Sequence, residues 1–169
     1  RRINAILAYC NKACAAAHYL NSPVTFIRLD LRQQEQRRPE FLALNPNGKI
    51  PLLQDGQQSL WESNAIMCHL SDQAGSDFWP HDARQGEVLR WLFWDNHKLS
   101  SFMATYRYRR AFTASPDPQV QAYLRARIDD FLGIVECQVQ GRPFVIGDQP
   151  TVVDLSMCGY LVFPSEESG

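Results

Sequence analysis

"LNPNGKIPLLQDGQQSLWESNAIMCHL", residues 44–70, carries the turn, strand and helix signals that decide the fold. "KIPLLQ" and "QSLW" are short apolar runs flanking Asp55-Gly56. Asp-Gly is a strong hairpin signal, because glycine takes positive φ without a Cβ clash. The two runs are therefore read as antiparallel strands. Ser63 follows the second run and is expected as a helix N-cap, its hydroxyl accepting from an orphan backbone N–H. Ile66, Met67 and Leu70 give the following helix an apolar face, and Gly75 is its expected C′ residue. Pro51 admits two readings. It is either a trans proline on an edge strand, or part of a backbone shaped to hold a peptide-like ligand.

Working upstream, "VTFIRLDL" (24–31) reads as a strand rich in β-branched and apolar residues. "KACAAAHYL" (12–20) is alanine-rich and reads as helix, stopped by Asn21 and Pro23. "INAILAYC" (3–10) suits a first strand, with helix as its competitor because of the alanines. "RRPEFLALNPNG" (37–48) is a short helix or irregular segment ending in turn chemistry. The order is β-α-β-α-β-β-α. The crossover helix makes the first two strands parallel and the last two form a hairpin. A mixed four-stranded sheet covered by helices is expected.

Downstream, "AGSDFWPHDAR" (74–84) reads as a linker, and strand signals almost vanish beyond it. Residues 86–112 read as one long helix with Val88, Leu89, Leu92, Leu99, Phe102 and Met103 near one face. "TASPDP" breaks it. Val120, Leu124, Ile128, Leu132, Val135 and Val139 recur at spacings of three and four, which predicts a second amphipathic helix. Thr151 and Asp154 form a T-x-x-D capping signature before "VVDLSMCGYLVF". A small α/β domain (1–76), a linker (77–83) and an all-α domain (84–169) follow from this pass.

The 169 residues are 45% hydrophobic and 21% charged, with a formal net charge of −1. That composition is globular, and a charge near zero implies no broad polyanion-binding face, so no nucleic-acid partner is expected. There is no run of 18 apolar residues, so no membrane span is expected. The five cysteines (10, 14, 68, 137 and 158) are odd in number and widely spaced, which fits free thiols in a reducing cytoplasm. Cys10 and Cys14 form a lone CxxxC with no second pair or nearby histidine, so no metal is expected.

Three stretches together resemble the glutathione transferase superfamily. "NPNGKIPLL" is similar to its loop and strand with a cis-proline, "LWESNAIMCHL" to its γ-glutamyl-binding strand–helix junction, and "FVIGDQPTVVDLSMCGYL" to its helical capping motif. "GSDFWP" before a long helix also suits its interdomain linker. The resemblance covers nearly the whole chain. It implies a thioredoxin-like α/β N-terminal domain, an all-α C-terminal domain, homodimerisation, and a glutathione site between the domains. It also implies a detoxifying transfer of the glutathione thiolate to a small hydrophobic electrophile. The match stops at "FPSEESG", where family members continue, so the helical domain is expected to be incomplete at its C-terminus.

The resemblance places the site residue by residue. Pro51 is expected cis, because X-Pro bonds reach cis at about 0.5–1 kcal/mol. The main chain of Ile50 would then pair with an extended tripeptide as an added strand does. Ser63 and the neighbouring N–H groups would hold the γ-glutamyl carboxylate at a helix N-terminus, and Glu62 the ammonium group. Lys49, with Gln36 as a second candidate, would meet the glycyl carboxylate. Trp91, Trp94, His97, Met103 and Tyr106 are either walls of an electrophile pocket or simply core or dimer interface.

The thiol-activating residue departs from the pattern. The family uses Ser, Tyr or Cys in the loop after the first strand, and here that loop reads "LAYCNK" (7–12). The register places Leu7, Ala8 or Tyr9 at the position in question, so Tyr9 and Cys10 are the candidate catalytic groups. Tyr9 would stabilise the thiolate for attack on an electrophile. Cys10 would instead form a mixed disulfide and turn the chemistry toward glutathione-dependent thiol–disulfide exchange. If neither faces the site, Asn11 or backbone N–H groups could do the work, or the chain is a non-catalytic interaction module that keeps the fold.

Overall fold

The structure, a computed structural model, describes the backbone of residues 5–8 and all of residues 10–161. The chain divides into two compact units, Arg1–Trp79 and Pro80–Gly169.

The first unit is built on a four-stranded sheet of order β2-β1-β3-β4. Strand β1 (Ala5–Ala8) leads into α1 (Asn11–Tyr19), and β2 (Val24–Ile27) returns parallel to β1. A 3₁₀ turn (Glu35–Arg37) and the one-turn α2 (Pro39–Leu42) follow. The hairpin β3 (Leu52–Asp55) and β4 (Gln58–Trp61) then leads into α3 (Ser63–Ala74). β3 is antiparallel to both β1 and β4. Gly56 opens the two-residue loop at φ +60°, the conformation that favours glycine there.

Successive residues of β3 face opposite sides of the sheet. Leu53 joins Ala13 and Ala17 of α1 and Ile66 and Leu70 of α3, all essentially inaccessible. Leu52 packs with Phe41 of α2, alongside Leu29, Leu44 and Ile50. The alanines predicted as helix formers thus let α1 approach the sheet closely, while one leucine serves each layer. His69 Nε2 and Asp55 Oδ2, 3.0 Å apart, tie α3 to the hairpin.

Strand β2 ends at Ile27, four residues short of the expected Leu31. Asp30 is the cause. Its Oδ1 accepts from Arg32 N (2.9 Å) and Gln33 N (3.2 Å), and its own N–H donates to Glu35 Oε2 (2.8 Å). A carboxylate that closes a turn on its own backbone competes with the ladder. Helix α3 begins at Ser63 with Glu62 as its N-cap, so Ser63 is the first helical residue rather than the expected cap.

The second unit is helical: α4 (Gln85–His97), α5 (Leu99–Phe112), α6 (Pro118–Val139) and α7 (Val152–Leu161). The single long helix expected over 86–112 is broken at Lys98, with φ −105° and ψ −88°. Buried Asp95 lies one turn before the break. Its carboxylate accepts from Ser100 Oγ (2.8 Å) on α5 and Ser156 Oγ (2.5 Å) on α7. The buried carboxylate is thus satisfied by hydroxyls from both helices that flank it, across the break and from α7. Trp91 stacks edge-on with Trp94, and Trp94 with Phe131 of α6, so these two tryptophans are helical-unit core.

Asp117 caps α6 through Gln119 N and Val120 N. The T-x-x-D signature is a working cap: Asp154 Oδ2 accepts from Thr151 N (2.7 Å) and Thr151 Oγ1 (3.1 Å), and Val153 N donates to Thr151 Oγ1 (3.3 Å). Asp154 Oδ1 also accepts from Val145 N at 2.8 Å, which anchors the buried Val145-Ile146 loop.

Candidate functional site

Strand register gathers the predicted site residues at one end of the first unit's sheet. Leu52 of β3 is opposite Trp61 of β4. Pro51 and Glu62, the next residues outward on each strand, therefore flank the same end of the hairpin. β1 runs antiparallel to β3 with Leu7 opposite Leu53. The C-terminal end of β1 therefore lies at the same end of the sheet as Pro51, and Cys10 follows it in sequence at the start of α1. Helices α1 and α3 both start at this end. Each N-terminus carries roughly half a positive elementary charge, so the pair favours an acidic ligand.

The loop leading to Pro51 is braced from within. Asn45 is 2% exposed. Its Nδ2 donates to Lys49 O (2.6 Å), while its Oδ1 accepts from Asn47 N (3.1 Å) and Asn47 Nδ2 (3.2 Å). Gly48 N donates to Asn45 O at 2.9 Å. Gly48 sits at φ +57°, and a Cβ there would lie 2.8 Å from Arg37 Nη1 and 3.0 Å from Leu42 Cδ2. Position 48 thus favours glycine for its conformation, while the side-chain ends of Arg37 and Leu42 could shift to admit a Cβ. The Ile50–Pro51 peptide bond is cis. Pro51 is buried, Ile50 half-buried, and Lys49 exposed. Asn45 is a site-supporting residue that sequence reasoning missed. Its signal was present, since Asn-Pro opens turns.

Glu62 is exposed and takes φ +73° with ψ 118°, and its side chain makes no cap bond. The first intrahelical bond of α3 is Ile66 N to Glu62 O at 3.0 Å. The N–H groups of Ser63, Asn64 and Ala65 therefore precede the helical ladder. Ser63, half-buried, is the first residue of that turn.

Cys10 is the N-cap of α1, extended at φ −147° and ψ 129°, and its side chain makes no cap bond. It is half-buried against the cluster of Ala13, Ala17, Leu53, Ile66 and Leu70. Tyr9 lies outside the described residues. Gln36 is half-buried in the 3₁₀ turn, with Oε1 enclosed and without a hydrogen-bond partner among the described residues. All five cysteines are free. Burial pushes the Cys68 thiol up to about 12, with Asp72 adding to the shift. Burial also raises Cys14.

Residues 4–72 match the family model described as glutathione S-transferase, N-terminal domain. Three solved structures share the architecture. A glutathione transferase family member from Pseudomonas fluorescens pf-5, with two glutathiones bound, superposes with a TM-score of 0.88 at 21% identity, over 95% of this chain and 76% of that one. Ure2p in complex with glutathione gives 0.87 at 24%, over 95% and 84%. Poplar glutathione transferase F1 gives 0.85 at 20%, over 93% and 79%. The family-model match lies within the first unit, and the superpositions show that the chain as a whole has the fold of the glutathione transferases.

Proposed function

We propose that this chain binds glutathione at the gathered end of its sheet and transfers the thiolate to a small hydrophobic electrophile, as a detoxifying enzyme of the cytoplasm. The observation that carries this reading is the convergence of the α1 and α3 N-termini with Pro51 and Glu62 at one sheet end. In this reading Ser63 and the first-turn N–H groups of α3 hold the γ-glutamyl carboxylate. Glu62 holds its ammonium group, the main chain of Ile50 pairs with the cysteinyl unit, and Lys49 meets the glycyl carboxylate. Activation requires the thiol to fall from about 8.5 to below 7, roughly 2 kcal/mol. The dipole of α1 and one directed hydrogen bond at residue 9 or 10 are together of that size. The exposed Leu89 and Phe93, one turn apart on α4, support homodimerisation.

Retention on immobilised glutathione tests the binding reading. Wild type is expected to bind and Ser63→Ala to elute early; a wild type that flows through refutes it. Conjugation of a chloronitrobenzene then tests the transfer. Binding without turnover leaves a non-catalytic module.

A second reading has its own support in Cys10. A half-exposed thiol at a helix N-terminus, with no capping duty, suits thiol–disulfide exchange with glutathione. Reduction of a glutathione mixed disulfide that is lost in Cys10→Ser, with retention on glutathione preserved, separates this activity from conjugation.

A further inference from the structure

We infer that Cys14 is the resolving thiol for Cys10, and that the two form an exchange couple oxidised by glutathione disulfide. The inference rests on the thiol-exchange reading of Cys10. Cys14 lies one helical turn beyond Cys10, with Cys14 N donating to Cys10 O at 2.9 Å. Both side chains pack against the same cluster of Ala13, Ala17, Leu53, Ile66 and Leu70, so they share one face of α1. Residues four apart on a helix have Cβ atoms about 5–6 Å apart, whereas a disulfide needs about 3.5–4.5 Å. Cys10, as the N-cap, is not held to the helical spacing, so closure falls to this end residue. Cys10 is non-helical, and its side chain holds no cap bond, so it can swing inward without unwinding α1. The bond formed would be strained, which suits a labile exchange couple rather than a structural crosslink.

The steps balance. The Cys10 thiolate attacks one sulfur of glutathione disulfide, that S–S bond breaks, and a glutathione thiolate leaves. Cys14 then gives its proton to solvent and attacks Cys10 Sγ. The bond to the glutathionyl sulfur breaks, a second glutathione thiolate leaves and is protonated, and the Cys10–Cys14 bond forms. Two electrons pass from the protein dithiol to glutathione disulfide. The electrostatics order these steps. Cys14 is held above the ordinary thiol range first by burial, with the charge of Cys10 adding to it. Capping Cys10 as a mixed disulfide removes that charge, so Cys14 ionises more readily once its target exists. Cys68, pushed to about 12, is a poor competitor.

The test is intact-mass analysis of the full chain, reduced, desalted, treated with glutathione disulfide and quenched by alkylation. In a background with the exposed Cys137 and Cys158 replaced by serine throughout, wild type at positions 10 and 14 is expected to lose two hydrogens, keep no glutathionyl group, and map a disulfide between residues 10 and 14. Cys14→Ser, and Cys14→Ala as a replacement matching the neighbouring alanines, are expected to retain one glutathionyl group on Cys10. Wild type retaining the adduct as fully as these variants overturns the inference and leaves Cys10 as a single-thiol exchanger. No adduct on Cys10 in either variant overturns both the inference and the exchange reading.

Discussion

Replacing Glu62 separately by alanine and by glycine distinguishes backbone strain from ligand contact. Glu62 holds φ +73° and ψ 118°, a region that side chains enter at a cost of about 1–3 kcal/mol. Alanine keeps that cost and removes the carboxylate. Glycine removes both, but loses about 0.5–1 kcal/mol of its own in chain entropy. Glu62→Gly is therefore expected to stabilise the free protein by about 1 kcal/mol relative to Glu62→Ala. For a chain of this size that is a rise of about 2–4 °C in Tm. Both variants lose the same charge-assisted hydrogen bond to the ligand ammonium, worth about 1.5–3 kcal/mol at full strength. Exposure of Glu62 lowers that to about 1–2 kcal/mol, or roughly 5–30-fold in Kd. Thermal unfolding and glutathione titration calorimetry on both variants measure the two effects. Equal stability of Ala and Gly would show that the backbone at 62 is relaxed in solution. Unchanged affinity in both would remove Glu62 from the ligand.

Three further outcomes are expected. Asn45→Ala deletes the bonds to Lys49 O and from Asn47; the loss of about 1–3 kcal/mol should appear as faster amide exchange over residues 46–50 and as weaker glutathione binding. Asp154→Ala strands two buried backbone donors, Val145 N and Thr151 N, so the urea midpoint should fall by about 1–2 M for a loss of about 3 kcal/mol, with Asp154→Asn in between because it keeps one acceptor oxygen. Cys68 should resist iodoacetamide at pH 8 in the native protein and react once unfolded; its folded pKa is raised from 9.0 to about 12, so its stabilising contribution is complete below pH 9.0 and declines between 9.0 and about 12.

The hairpin, the crossover and the T-x-x-D cap were legible because local chemistry dictates them. Asp55-Gly56 closes a turn whatever the surroundings, and Asp154 sits three residues after the donor it satisfies. The break at Lys98 was not legible. The apolar positions continue in helical phase from Val88 to Met103, and no proline or glycine interrupts them. What accompanies the break is a buried carboxylate, Asp95, shared between Ser100 across it and Ser156, 61 residues away, and no local pattern encodes that distant partner. Strand β2 is an intermediate case. Asp30 carries a turn signal, but it lies inside a run whose alternation reads as strand.

The shift of Ser63 from cap to first helical residue has a deeper source. Among the described residues, three other than glycine take positive φ: Asn21, Gln34 and Glu62. Asn21 follows α1, and asparagine tolerates that conformation well. Gln34, at φ 55° and ψ 33°, lies in the left-handed helical well that turns use. Glu62, with ψ 118°, lies outside that well, and it stands where an ordinary polar cap would cost nothing. Locally consistent sequences avoid such choices except where something other than folding selects them. An exposed carboxylate held in a costly backbone geometry, at the sheet end where two helix N-termini converge, is the arrangement that the proposed contact with a ligand ammonium group would account for.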